Sequence, residues 1–206
     1  MGGTTGEGQD ESQINAWRKE ASRNMKIQFI SDVHGSPGAL EAALEAGRRA
    51  GAGQVAFLGD ALYHGPRNPL PADYDPARTA EVFNRWRDRI LAVRGHCDSE
   101  VDQMLLAFPV LADYAWLLAG ERRIFLTHGH RFDPDRLPPL SPGDIFASGH
   151  THIPLAERRG EIWVLNPGSV GLPKDGHSPS YGLLDAEWLE VRSLDGNVLR
   201  TCRLEA

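Results

Sequence analysis

Two stacked β-sheets with helices outside them, an α/β fold, is the class that this sequence predicts, and three observations carry it. The first half alternates short apolar runs with helical stretches in a β-α-β-α-β rhythm, which favours a largely parallel sheet with helices packed against it. The second half changes to paired apolar runs separated by turn signals, the pattern of hairpins and of a second sheet. Five of the apolar runs, drawn from both halves, end in aspartate or histidine, so their ends are expected to converge on one edge.

Residues 1–24 come first, rich in glycine, threonine, glutamate and serine. Gly2, Gly3, Gly6 and Gly8 break the start, and only 14–17, around Trp17, could form a short helix. A disordered tail before a folded body at 25–206 is the expectation. The first strand is 26–30. Ser36 and Pro37 then supply an N-cap and a first-turn proline, and Leu40, Ala43, Leu44 and Gly47 share one face of a helix that stops near Gly51.

The second strand is 54–58, followed by a loop at 64–76 long enough to carry function. Asp75 and Pro76 open a second helix with Ala80, Val82, Phe83 and Trp86 inward. A third strand follows at 90–93 and a third helix at 99–108. Residues 114–118 and 123–126 read as a hairpin turning at Gly120-Glu121, and 145–147 leads into Gly149-His150. Further turns fall at Arg159-Gly160 and Asp195-Gly196. Trp86, Trp116, Trp163 and Trp188 read as packing residues.

At 206 residues the chain is sized for one domain, and 41% apolar with 24% charged residues is an ordinary globular composition. No apolar run approaches the roughly 20 residues of a membrane span, and the N-terminal residues lack the basic start and apolar stretch of a secretory signal. Cys97 and Cys202 form no disulfide framework, so a cytoplasmic protein is expected. The net charge of −6 argues against long nucleic acid held on a broad basic surface. It does not exclude a small phosphate-bearing substrate, because bound divalent ions would attract an anion locally.

Asp32 and His34 stand two apart at the end of the first strand, where alternation points both side chains the same way and lets them grip one ion. Alone this is a weak signal, since a turn-capping aspartate and a surface histidine would look the same. Four other strand ends add Asp60; His96, Cys97 and Asp98; His128 and His130; and His150 and His152, so that six of the eight histidines fall in these segments. Carboxylate supplies charge and neutral imidazole supplies nitrogen to divalent ions. Asp32 and His34 could hold one ion, Asp60 could bridge, and His128, His150 and His152 could complete two spheres. A water between ions about 3.5 to 4 Å apart loses its proton near neutral pH and becomes a nucleophile.

The order D-x-H, G-D, G-x-C-D, T-H-G-H and G-H-T-H resembles the calcineurin-like metallophosphoesterases. The wording of 60–68, 98–106 and 166–169 resembles the bacterial YfcE-type phosphodiesterases among them, and the likeness runs from about Met25 to the C-terminus. This resemblance implies a four-layer α/β/β/α sandwich of two stacked mixed sheets. It also implies phosphodiester hydrolysis by in-line attack of a hydroxide bridging two divalent ions, with manganese the usual metal and zinc, iron or nickel as alternatives. Homo-oligomers are common in the family. Carried over residue by residue, Asp32, His34 and His152 bind the first ion, His128 and His150 the second, and Asp60 bridges.

One position departs from that pattern. Where the family has asparagine, this chain has His96, so an imidazole nitrogen takes the place of an amide oxygen at the second ion. Imidazole is a good ligand for these metals but is bulkier, differs in reach and must be unprotonated to bind. Occupancy of the second ion is therefore expected to depend more steeply on pH. Cys97 stands where more distant relatives place a histidine that protonates the leaving group; a thiol could do so, and a small inert cysteine is the ordinary alternative.

The catalytic candidates are thus His96, Cys97, His130 and Arg67. His130 reads equally as facing substrate or as structural. His64 and Arg67 could reach a phosphate oxygen, the arginine through two parallel hydrogen bonds, or could be solvated loop residues. Asn68 reads as holding a turn, 166–169 as a rigid loop under the site, Ser169 as no nucleophile for want of a base, and His177 as exposed. A phosphomonoesterase or nucleotide hydrolase on the same centre is the near alternative. A protein-interaction scaffold, like the retromer subunit that resembles this family, is the distant one. Specificity is expected in the loops 64–74 and 132–142.

Overall fold

The computed structural model describes residues 25–204, so the expected tail at 1–24 and its short helix lie outside the described residues. Strands β1 (Ile27–Ile30), β2 (Gln54–Phe57) and β3 (Ile90–Ala92) are parallel, as the β-α-β-α-β rhythm requires. Beside β1 lies antiparallel β9 (Ser180–Leu184), then β10 (Trp188–Ser193) and β11 (Val198–Arg203), giving the order β11-β10-β9-β1-β2-β3. The second sheet has the order β4-β5-β6-β8-β7. It contains β4 (Tyr114–Ala119), β5 (Arg122–Thr127), β6 (Ile145–Ala147), β7 (Pro154–Arg159) and β8 (Ile162–Pro167). β5, β6 and β8 are parallel and the outer pairs antiparallel.

Alternation along the strands divides the core. Ile27, Phe29, Ala56, Leu58 and Val93 point between the sheets and meet Ile124, Leu126, Ile145, Ala147 and Leu165. Ile30, Val55 and Phe57 point the other way, onto Leu40 and Leu44 of α1 (Pro37–Arg49) and Phe83 of α2 (Pro76–Arg85). Each such apolar side chain contributes about 1.5–3 kcal/mol when fully buried. Buried Gln28 is the exception on β1, and its amide donates to the Ala43 carbonyl of α1.

The architecture is the expected α/β sandwich of two stacked mixed sheets, with differences in detail. Helices α1 and α2 pack on the six-stranded sheet. On the outer face of the other sheet, Phe125, Phe146 and Val164 are met by Phe132 and Leu140 of the segment before β6, which stands where a helical layer was expected.

Helix α3 spans only Glu100–Leu105, shorter than 99–108. Gln103 donates to the carbonyls of Leu106 and Phe108 and accepts from Val110, drawing the chain out of the helix ahead of Pro109. Asp75 caps α2 as read, accepting from the Arg78 amide. Ser36 does not cap α1 with its own oxygen: it donates to Asp73, whose other oxygen accepts the Gly38 amide. Strand β9 was not foreseen, because Gly182 interrupts its apolar pattern; a side chain there would press on Phe29 and Leu165. Trp116 and Trp188 are 40% and 37% exposed, under the guanidinium groups of Arg123 and Arg203 rather than inside the core.

Candidate metal centre

The chain leaves β1, β2, β3, β5 and β6 at one edge, and all seven ligand candidates meet there. Asp32, His34 and His152 form one group, with Asp32 Oδ1 3.3 Å from His152 Nε2 and 3.7 Å from His34 Nε2. His96, His128 and His150 form the other, with His96 Nδ1 2.9 Å from His128 Nε2. Asp60 lies between them. Its Oδ2 is 3.7 Å from His34 Nε2, 3.0 Å from His96 Nδ1 and 3.4 Å from His128 Nε2, as a bridging carboxylate requires.

The donor set fits a pair of divalent ions. Asp32 Oδ1, Asp60 Oδ2 and His150 Nδ1 are buried without a hydrogen-bond partner, a costly state for polar atoms that lack an ion. The opposite oxygens are occupied: Asp32 Oδ2 accepts from the Ser31 hydroxyl and the His150 amide, and Asp60 Oδ1 from the Cys97 amide. Three imidazoles are oriented by main-chain carbonyls, which can only accept. His34 Nδ1 donates to Tyr63, His128 Nδ1 to Leu58 and His152 Nδ1 to Leu172, so each Nε2 lone pair faces inward.

Electrostatics agree with that reading. Burial pushes the Asp32 and Asp60 carboxyls up, yet the imidazoles of His152 and His34 around the first, and of His128 and His96 around the second, hold both well below the usual range. Burial pulls His128 down, but Asp60 and Asp32 raise it to about 9, so the carboxylates draw a proton onto the atom that a cation would otherwise take. His150 is lowered to about 4 by burial and by His128 and His96.

The convergence of Asp32 with His34 does not come from strand alternation, as the sequence reading had it. β1 ends at Ile30, and Asp32, His34, Asp60, His150 and His152 all have left-handed backbone, with φ between 50° and 70°. Such positions cost about 1–3 kcal/mol each and persist where surroundings over-determine them. Here the surroundings are specific. Asp98 accepts the amides of Asp60, Ala61 and Gly95, and burial followed by the charge of Asp60 raises its carboxyl to about 6. Gly59 and Gly95 let the loops after β2 and β3 touch, since a Cβ on either would strike the other loop. Asn166 donates to the Gly149 carbonyl and the Thr151 hydroxyl, and buried Ser169 donates to the Asp32 carbonyl, which confirms 166–169 as a brace and leaves Ser169 no nucleophilic role.

His96 reaches the centre through Nδ1, an atom the same number of bonds from the backbone as an asparagine amide oxygen, so the expected mismatch in reach disappears. Its Nε2 faces Cys97 Sγ at 3.6 Å. Burial, then the Asp60 carboxylate, push the Cys97 thiol well up, which favours the neutral form. His130 joins the cluster, its ring centroid 5.5 Å from that of His128 and 6.1 Å from that of His96.

A cleft of about 720 Å³ opens over the centre, lined by His96, Cys97, His150 and His152 together with Arg67 and Lys174. His64 is not in its wall and packs against Tyr63 and Tyr74. Asn68 holds the turn as read, donating to the His64 carbonyl. His177 is half-buried rather than exposed. Sequence reasoning missed the anchoring role of Asp98, although the residue stood within a quoted motif, and it missed Lys174, which carried no motif signal.

Two mixed sheets with paired histidine and aspartate clusters at their shared edge define a class, and this chain belongs to it: the calcineurin-like phosphoesterase superfamily, whose domain model matches residues 25–188. The chain is 52% identical over 171 residues to phosphodiesterase YfcE of Escherichia coli strain K12, covering 83% of this chain and 93% of that protein. A solved structure of YfcE, described as a phosphoesterase, matches with a TM-score of 0.85 at 49% identity over 88% of this chain and 100% of that one. Vacuolar protein sorting 29 of Cryptosporidium parvum, 20% identical with a TM-score of 0.57 over 88% of this chain and 98% of its own, shares the fold.

Proposed function

We propose that this protein is a metal-dependent phosphodiesterase acting on small phosphodiesters. The observation that carries the reading is one Asp60 oxygen facing two groups of ligand atoms, Asp32, His34 and His152 on one side and His96, His128 and His150 on the other. Likeness to a phosphodiesterase at 52% identity supports the same conclusion. Manganese is the proposed metal, because mixed carboxylate and imidazole donors suit it, with zinc, iron and nickel as alternatives. Two such ions would activate a water for attack and offset charge on the phosphoryl group.

The chain's own residues do the rest. Asp32, His34, Asp60 and His128 are fully buried, and among the described residues the cleft opens over them. Arg67, in the cleft wall, binds a phosphoryl oxygen through its planar fork. Cys97 lines the cleft beside His96, where the family resemblance implies a leaving-group acid, and a neutral thiol is a weak acid, so aryl alcohols should leave far more readily than alkyl ones. Small substrates and a cytoplasmic setting follow from the acidic net charge and from two free cysteines. No helix among the described residues is long and apolar enough to cross a membrane.

The test is metal analysis of the purified chain together with turnover of bis(p-nitrophenyl) phosphate and p-nitrophenyl phosphate with and without manganese. Two ions per chain and manganese-dependent release from the diester are expected. Preference for the monoester would reassign it as a phosphomonoesterase, and neither ions nor turnover would leave the scaffold reading.

A further inference from the structure

The cleft is larger than the chemistry beneath it demands. Its volume of about 720 Å³ falls within the roughly 300–1,000 Å³ of sites that enclose whole small molecules, whereas one phosphoryl group needs only the space above the histidines. What lines the surplus is cationic. Arg67 comes from the loop after β2 and Lys174 from the loop after β8, and no aspartate or glutamate shares the wall with them.

Elsewhere the chain pairs its cations readily: Arg48 with Glu45, Arg85 with Glu41, Arg123 with Asp144 and Arg131 with Asp113. Acidic residues outnumber lysine and arginine, 28 to 22, so partners are plentiful. Even so, Arg67 and Lys174 have no hydrogen bond or ion pair from their side chains among the described residues.

Both side chains stand on braced loops. Lys174 opens a tight turn in which the His177 amide donates to its carbonyl, with Asp175 and Gly176 at φ 53° and 73°. Two residues earlier, Leu172 donates its amide to Ser169 Oγ and accepts His152 Nδ1 on its carbonyl, so the lysine's loop is tied to the metal centre itself. Arg67 stands between Gly65 and Asn68, whose amide group donates to the His64 carbonyl. Two unpaired cations held over a site proposed to take one anionic phosphoryl group are suited to a ligand with a second anion.

We infer that the cleft selects phosphodiesters carrying a second anionic group, a phosphate or a carboxylate, and that Lys174 recognises it while Arg67 holds the reacting phosphoryl group. The inference rests on the phosphodiesterase reading and narrows its substrate class. The metal-loaded full chain would be given three p-nitrophenyl diesters that differ only in the other ester arm: phenyl, carboxyphenyl and phosphophenyl. The kcat/KM ratio of an anionic to the neutral diester is expected to be roughly tenfold, the effect of one charge-assisted contact. It should approach one in Lys174→Met, fall below one in Lys174→Glu and shrink as salt is raised.

A gain with both anionic arms identifies general anion recognition, and a gain with the phosphophenyl arm alone identifies a second phosphate. Equal rates for all three substrates, or a preference that survives in Lys174→Glu, overturn the inference while leaving the phosphodiesterase reading intact. Calorimetry with the corresponding phosphinates, in which both ester oxygens are replaced by CH2, reads the same preference without turnover, so loss of catalysis and loss of anion selectivity are told apart; equal affinities again overturn it.

Discussion

On one side of Asp60 the triad of Asp32, His34 and His152 is sealed, with no side chain more than 1% exposed; on the other, His96 exposes 34% of its side chain. Both sealed imidazoles donate to main-chain carbonyls. In the open triad only His128 does, while His150 packs at 4.7 Å against the ring of His96 and its buried Nδ1 has no partner. Backbone fixes the first triad and ring packing shapes the second. It is in the open triad that His96 stands where the family resemblance implies asparagine, and a ligand at the cleft can change type without disturbing the buried hydrogen bonds.

Asp60→Asn should erase the distinction between the two triads, since the lost charge serves both. Metal analysis should find both ions depleted, and kcat/KM for an aryl phosphodiester should fall by roughly 10²–10³-fold or more. Full retention of either ion would mean that Asp60 is no bridge. His152→Ala should separate the sides: the sealed triad's metal affinity is expected to drop at least about 10–100-fold while the open triad keeps its ion, so stoichiometry approaches one per chain.

His96→Asn sharpens the difference further, with a smaller effect. An amide has no proton to shed before it binds, so loss of the open triad's ion on acidification should be less steep in the variant, with the sealed ion unaffected. Metal titrations at several pH values would show it, and unchanged profiles would remove His96 from the ligand set.

The smallest effect belongs to a site remote from both triads. Burial pushes the Asp144 carboxyl up, but the bidentate contact from Arg123 and the Ser141 amide hold it below its ordinary value. A depressed carboxyl adds stability above its unfolded pKa and loses it as pH falls through the folded one. Because Arg123 is partly exposed, Asp144→Asn should cost only about 1 kcal/mol near neutral pH, less in acid, with metal content unchanged. Thermal melts at the two pH values would check this.

The cluster of candidate ligands was legible in the sequence because aspartate and histidine closing apolar runs is a pattern that burial alone does not produce. How they meet was not. Alternation assumes extended backbone, and Asp32, His34, His150 and His152 are not extended. Asp98 was quoted but given no role, since its three contacts are to amides of residues brought near only by folding. The shortened α3 reflects a glutamine whose partners lie past the helix end, and the loop covering the second sheet does with Phe132 and Leu140 what the family resemblance assigned to helices. Lys174 matters through the absence of a neighbour, which no local pattern encodes.

The left-handed backbone at five of the candidate ligands is held by the protein itself. The bonds that hold it run to Asp98, Asn166 and Ser169 and to main-chain carbonyls, and none of them passes through an ion. The protein's own hydrogen bonds are thus enough to account for the backbone at these residues. Removal of metal with a chelator is therefore expected to leave the backbone at these residues in place, with His96 at the open side of the cleft.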